Sequence, residues 1–279
     1  MKKLRVRHYI KDGLTYLCLI LIIIVVDLPF FQMVSVAFKT KAEVVNTTSF
    51  FPKQFSLENI INVWVFTDFS RNILNSIIVA ASATVFCIVI AVIAGYALSR
   101  FRGRVFSMYS ILLLMLQLFP SILLLIPLFV IFTSLGLVDN LLACVLAYTT
   151  TNLAFSIWMV KGFMDSIPFD LEEAGMIDGC TQFTAFLRIV VPISMPGIST
   201  VGIFTFINSW GEYTLASILL RSDKNVTMTV GLQKFVQQFS MDWPSMMTAS
   251  SIATIPTILF LVFAQKYLIR GMSAGAVKG

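Results

Sequence analysis

Six long apolar stretches punctuate the chain, near residues 14–38, 73–98, 106–133, 141–162, 192–219 and 248–268. Each reaches or exceeds the roughly 20 apolar residues that a helix needs to cross a bilayer. Asp27 interrupts the first and Glu212 the fifth. Prolines at 29, 120, 127, 196 and 256 predict kinks or broken turns, tolerated where neighbouring groups satisfy the freed carbonyls. The polar connections are uneven. Two on one side are long, near 39–72 and 220–247, and Leu135 to Asn140 is a tight turn. On the opposite side a single long connection, 163–191, stands out. The pattern gives an all-α fold with six transmembrane helices. It comprises a tail, first helix and outer loop (1–72), a core (73–268) holding the inner loop 163–191, and a C-terminal tail (269–279).

Composition supports this reading. The chain is 58% hydrophobic and 12% charged, against about 45–50% and about 25% for a soluble domain. It is read as a polytopic membrane protein. The net charge of +6 therefore bears on topology. With the N-terminus inside, thirteen Lys and Arg fall on the inner side and seven on the outer. Arg100, Arg102 and Arg104 are the strongest single cluster. Both termini are expected in the cytoplasm. The N-terminal MKKLRVRHYIKDG resembles the start of a signal peptide, with Ser35-Val36-Ala37 a weak cleavage site. The apolar run that follows is too long for that, so a retained first helix is the expectation.

Several chemistries are excluded. No basic patch with interleaved aromatics lies outside the spans, which argues against nucleic acid. His8 is the one histidine, and Cys18, Cys87, Cys144 and Cys180 form no CxxC pair, so a zinc site or disulfide framework is not expected. No GxxxxGK[ST] loop occurs, so the chain does not hydrolyse ATP by that route. No nucleophile has a base beside it, and no enzyme activity is expected. Asp27 and Glu212 are intramembrane acids, costly and by default functional. Asp27 could reach interfacial water. Glu212 could serve a substrate pathway or structural hydrogen bonding, and both stay open. Ala91 and Gly95 fit a small-xxx-small packing face.

The inner loop carries the densest local signals. Ile167-Pro168 should stop the fourth span, because the residue before proline is pushed out of helical geometry. Asp170-Leu171-Glu172-Glu173 has capping-box spacing, with Asp170 as N-cap. Gly179 supplies a left-handed stop. A short helix near 171–178 results. Leu171, Ala174, Gly175 and Asp178 share one stripe, small enough for another backbone to approach; Glu173 and Ile177 line the next. A second amphipathic piece follows, with Phe183, Phe186 and Leu187 on one side, ending at Pro192. A docking peg and a plain polar hairpin are both compatible with this pattern.

The order Glu173-Ala174-Gly175, three residues, Gly179, nine residues, Ile189-Val190-Val191-Pro192 resembles the EAA loop of ABC importer permeases. It departs from that pattern at Gly175 and Val191. Ile167-Pro168, Leu171 to Ala174 and Ile177-Asp178-Gly179 look like the carbohydrate importers. So does Asn208-Ser209-Trp210-Gly211-Glu212-Tyr213, with Gly211 in the place of Asn. The ending Arg270 to Gly279 is similar to the tail of the maltose-type smaller permease subunit.

The resemblance implies a permease subunit of a binding-protein-dependent sugar importer in the bacterial cytoplasmic membrane. Its expected partners are a second homologous permease, an ATPase dimer, an extracytoplasmic sugar-binding protein, the sugar itself and membrane lipid. ATP and Mg would be used by the ATPase, and no cofactor by this chain. Glu172, Glu173, Ala174, Gly175, Asp178, Gly179 and Pro192 would couple to the ATPase, with Glu173 pairing a basic residue there. Gly275, Lys278 and Gly279 would form a second contact. Asn208, Trp210, Glu212 and Tyr213 would line the sugar pathway. The alternative is an ion-coupled secondary transporter using Asp27 or Glu212.

Overall fold

The structure is a computed structural model describing residues 2–47, 49–236 and 242–276, with side chains over 12–47, 49–236 and 242–265. Five helical stretches among the described residues are long and apolar enough to cross a membrane. They are Asp12–Ala37 (within α1, Lys2–Ala37), Phe69–Arg100 (α4), Leu141–Asp165 (α7), Gln182–Gly211 and Trp243–Gln265 (within α13, Trp243–Ala276). The expected third span is not one helix. Arg104–Gln117 (α5) and Ser121–Ser134 meet at an angle of 98°, forming a broken span or re-entrant pair. The break falls at Pro120, whose ring and missing N–H end a helix that hydrophobicity alone reads as continuous. The second arm opens with a 3₁₀ turn, Ser121–Leu124, and continues as α6, Leu125–Ser134. Pro29, Pro196 and Pro256, by contrast, lie inside continuous helices.

The chain divides into two compact units, residues 1–70 with 232–255 and residues 71–231 with 256–279. In the first, two short helices, Lys41–Asn46 (α2) and Glu58–Val65 (α3), follow α1. Asn59 Nδ2 donates to the Lys39 carbonyl at 2.8 Å and the Val36 carbonyl at 3.3 Å, fixing α3 on the end of α1. Glu43 gathers the loop beyond α2, accepting from Lys53 N at 2.8 Å and Ser49 Oγ at 3.0 Å.

The second unit is organised on α7, which packs against α5 and against α10 (Val191–Gly211). Its buried face is rich in small residues, including Ala143, Cys144, Ala147 and Ser156. That composition allows close helix approach where apolar burial alone drives nothing. Gly95 marks such a crossing: a Cβ there would lie 2.9 Å from Val160 Cγ1 and 3.1 Å from the Lys161 backbone nitrogen. One apolar cluster gathers Val79, Ala83, Tyr148 and Leu219, and another Ala91, Val160, Met164 and Val201. Between them in chain position lies a polar layer, with Cys87 Sγ 3.1 Å from Ser156 Oγ and Ser156 Oγ 3.4 Å from Thr205 Oγ1.

At the tight turn, Gly136 and Asp139 both adopt positive φ (67° and 63°). Asn140 caps α7 by accepting from Leu142 N at 2.9 Å. Asp139 Oδ1 accepts from Arg221 N, Ser222 N and Ser222 Oγ at 2.9–3.0 Å. Those donors, the Ser222 and Arg221 backbone N–H groups first, hold its carboxyl down at about 2.

Candidate functional site

The inner loop folds on the end of α7. That helix stops at Asp165, before Ile167-Pro168, and α8 runs Asp170–Ile177. The expected capping box does not form. The N-cap is Phe169, with no side-chain cap, and its carbonyl accepts from Glu173 N at 3.1 Å. Asp170 is already inside the first turn, so its carboxylate is not at the N-cap position that the box requires, and Glu173 falls one place beyond N3.

Glu172 is fully buried. Its Oε1 accepts from Arg100 Nε, at the last residue of α4, and its Oε2 accepts from Tyr96 OH at 2.7 Å. Arg100 Nη2 also donates to the Ile167 carbonyl at 3.2 Å, and its guanidinium lies 6.0 Å from the Phe169 ring centroid. One arginine therefore grips both the α7–α8 connection and the underside of α8. Both charged side chains are more than nine-tenths withdrawn from solvent (7% and 1% exposed).

The far end of α8 closes as expected. Gly179 has φ +93°. Gly179 N donates to the Met176 carbonyl at 3.1 Å and Cys180 N to the Gly175 carbonyl at 3.0 Å. This is the paired bonding of a Schellman stop, which a residue with a Cβ adopts only under strain.

Gly175 faces inward. A Cβ there would sit 2.4 Å from Ile189 Cδ1, so its small size admits a side chain of the following helix, not an outside backbone. The outer face of α8 presents Glu173, Ala174 and Asp178, with Ile177 86% exposed and Leu171 and Met176 also accessible. It is a small surface combining carboxylates with apolar side chains, standing on a buried ion pair.

The expected second piece also differs. Phe186 is buried against Tyr96, ring centroids 4.4 Å apart, whereas Phe183 and Leu187 are exposed. Pro192 does not end it. Gln182–Ala185 (α9), a π turn at Phe186–Val190 and α10 join into one continuous helix through Pro192. In the π turn Val191 N reaches back to the Phe186 carbonyl. This wider turn lets the chain pass a residue that has no N–H to donate.

Of the four residues expected on a substrate pathway, Asn208 reaches a cavity. Asn208 lines a space of about 310 Å³ beside the break at Pro120, together with Gln117, Phe119, Ser121, Asn152 and Phe155. Asn208 Nδ2 donates to Asn152 Oδ1 at 3.3 Å. Trp210 is buried and stacked on Phe206 at 5.9 Å. Glu212 turns away to accept from Leu215 N at 2.9 Å and Ala216 N at 3.2 Å, seating α11 (Thr214–Leu219). These bonds are structural hydrogen bonding, one of its two open roles. Tyr213 is exposed just beyond it.

The family model for the inner membrane component of binding-protein-dependent transport systems matches residues 87–274. The chain belongs to that family. It is 35% identical over 242 residues to the sulfoquinovosyl glycerol transport system permease protein SmoH of Agrobacterium fabrum, covering 86% of this chain and 85% of the relative. It is 32% identical over 267 residues to the trehalose/maltose transport system permease protein MalG of Thermococcus litoralis, covering 93% and 94%. A chain of a bacterial ABC transporter for the import of alginate shares the fold, with TM-score 0.82, 21% identity and coverage of 93% and 96%.

In this family member, Glu173, Ala174, Asp178 and Gly179 lie at the exposed side and end of α8, and Glu172 and Gly175 lie beneath it. Gly275 belongs to the last turns of α13, while Lys278 and Gly279 lie outside the described residues. Two residues were missed from sequence. Arg100 counted only toward topology, although Tyr96 and Arg100 stand four apart at the end of a span facing the loop. Asn152 closes the polar run Thr149 to Asn152 inside an otherwise apolar span, and that run was the available signal. Among the described residues no cluster of His, Cys, Asp and Glu could hold a metal.

Proposed function

We propose that this chain is one permease subunit of a sugar importer, and that α8 is its docking element for a separate ATPase. The observation that carries the reading is the outer face of α8: exposed Glu173 and Asp178 among accessible apolar side chains, on a helix anchored from beneath. A surface of that kind suits a basic, partly apolar cleft, in which a desolvated carboxylate would pair strongly. The names of the two relatives, transporters of a sulfoquinovosyl glycerol and of trehalose and maltose, support a sugar as cargo. In this reading the termini and α8 are cytoplasmic, as the excess of Lys and Arg on that side favours. A second homologous permease completes the pathway, and an extracytoplasmic binding protein delivers sugar to the outer segments. The ATPase pair uses ATP and Mg, and this chain holds no cofactor.

The test is Glu173→Ala in the assembled importer. Membrane insertion should be normal, while ATPase co-purification weakens and ATP-dependent uptake is lost. Wild-type uptake by that variant would refute the docking role. Uptake that survives ATP depletion but collapses with an uncoupler would favour ion coupling instead.

A further inference from the structure

The break in the third span and the amide pair behind it have a common consequence. Backbone that leaves helical geometry at membrane depth is tolerated only where protein buries it or where it lines a water-filled cavity. At Leu118 to Pro120 the helix ends, its last carbonyls lose intrahelical partners, and Gln117, Phe119 and Ser121 from the two arms line the cavity. Across it, Asn152 is 92% withdrawn from solvent, with its Nδ2 committed to the Tyr148 carbonyl at 2.8 Å and its Oδ1 to Asn208. That fixes the orientation of Asn208. Among the described residues the Asn208 amide oxygen has no protein partner, which leaves an acceptor and an N–H for a ligand. The Phe155 and Phe204 rings lie 4.1 Å apart, tilted by 37°, and both line the cavity, which gives it an aromatic wall. At about 310 Å³ it lies at the small end of the range for small-molecule pockets, about 300–1,000 Å³. No residue lining it is charged.

We propose that this subunit itself holds one unit of the transported sugar in this cavity, through Gln117, Ser121 and Asn208 on its hydroxyls and the phenylalanine wall on its apolar ring face. The lining selects a neutral sugar unit. A sulfonate or uronate would enter an apolar-walled space without a counter-charge from this chain, which is costly. The inference rests on the sugar-importer reading and adds where and how the sugar is held.

The experiment uses the whole importer, with its binding protein, in proteoliposomes. The probes are maltose, trehalose and cellobiose as neutral sugars and a glucuronate-containing disaccharide as the anionic one. At least one neutral probe should be taken up. Asn208→Ala and Gln117→Ala should each lower its kcat/KM by about five- to tenfold, the effect of one or two lost hydrogen bonds. Co-purification with the ATPase checks assembly, and Gln117 stands at an exposed helix end, where truncation does not threaten folding. Wild-type kcat/KM in both variants, or uptake confined to the anionic probe, would overturn the site. A complex in which no sugar drives uptake or ATP hydrolysis would instead overturn the sugar-importer reading beneath it.

Discussion

Replacing Glu172 by Ala should release α8 from the end of α4. The variant removes both acceptor oxygens of a fully buried carboxylate. It strands the Arg100 guanidinium at 7% exposure and leaves Tyr96 OH without its partner. A charge-assisted hydrogen bond contributes about 1.5–3 kcal/mol, and an unsatisfied buried hydroxyl costs about 1–3 kcal/mol. Removing one member of a buried ion pair typically destabilises by about 3–5 kcal/mol, so about 3 kcal/mol is a fair lower figure. Arg100 keeps its bond to the Ile167 carbonyl, which holds the connection but not α8 itself. The loss should therefore be local. Hydrogen exchange of the amides from Ala174 to Cys180 should accelerate by about two orders of magnitude, one for each 1.4 kcal/mol. The core of α7 should exchange as before. The double variant Arg100→Met, Glu172→Leu should recover much of the protection, because two apolar groups leave no stranded charge. Unchanged exchange in Glu172→Ala, or a double variant less protected than the single one, would refute the anchoring role.

Three further perturbations have definite outcomes. Gly179→Ala forces a Cβ into φ +93°, at a cost of about 1–2 kcal/mol; exchange at the Cys180 amide should rise and ATPase binding should weaken, while thermal unfolding of the spans stays put. Gly197→Ala places a methyl 2.2 Å from Phe163 Cγ; overpacking of this kind costs about 1–3 kcal/mol, seen as a lowered unfolding midpoint in detergent that Phe163→Leu should partly restore. Asp139 has a folded pKa of about 2 against an ordinary 3.8, so the bonds it accepts stabilise the turn in full above about pH 4 and are lost as pH falls toward 2. Exchange of residues 219–225 should show that window. Asp139→Asn, which also tolerates positive φ, should abolish it.

What the sequence revealed and what it hid divide along the range of the interaction. Gly179 was legible as a stop because a left-handed residue is a local demand, settled within one turn. Ala91 and Gly95 were legible as a packing face because helix periodicity alone brings small residues together. The bond from Glu172 to Arg100 spans 72 positions, and nothing in the spacing of the loop separates Glu172 from Glu173. The adjacent acids differ only in which face of α8 meets α4. At Pro120 the broken turn was legible from the proline itself, but the 98° angle between the two arms was not. Residues 106–133 are predominantly apolar on both sides of the proline, and hydrophobicity does not record direction. Pro192 misled because a proline after a polar loop reads as a boundary, yet a π turn of five residues carries the helix past it.

That continuous helix has a mechanical consequence. Gln182–Gly211 is 30 residues long, about 45 Å at 1.5 Å per residue. It begins beside α8 and carries Asn208 three residues before its end. α8 touches it through Gly175 and Ile189, joins α7 through the short connection gripped by Arg100, and joins α4 through the same arginine. α7 and α10 supply Asn152 and Asn208, one amide each, to the far cavity. A displacement of α8 would thus bear on the two helices whose separation sets that amide pair, and a shift of 1 Å between them would stretch a 3.3 Å hydrogen bond past its useful range. Along the route lies the π turn, where helical bonding is already shifted by one residue. If α8 drives the cavity, that turn must stay folded while it does so. Hydrogen exchange at Val191 slower than at the exposed end of α8 is the observation this requires; faster exchange at Val191 would place a hinge there and disconnect the cavity from α8 along this helix.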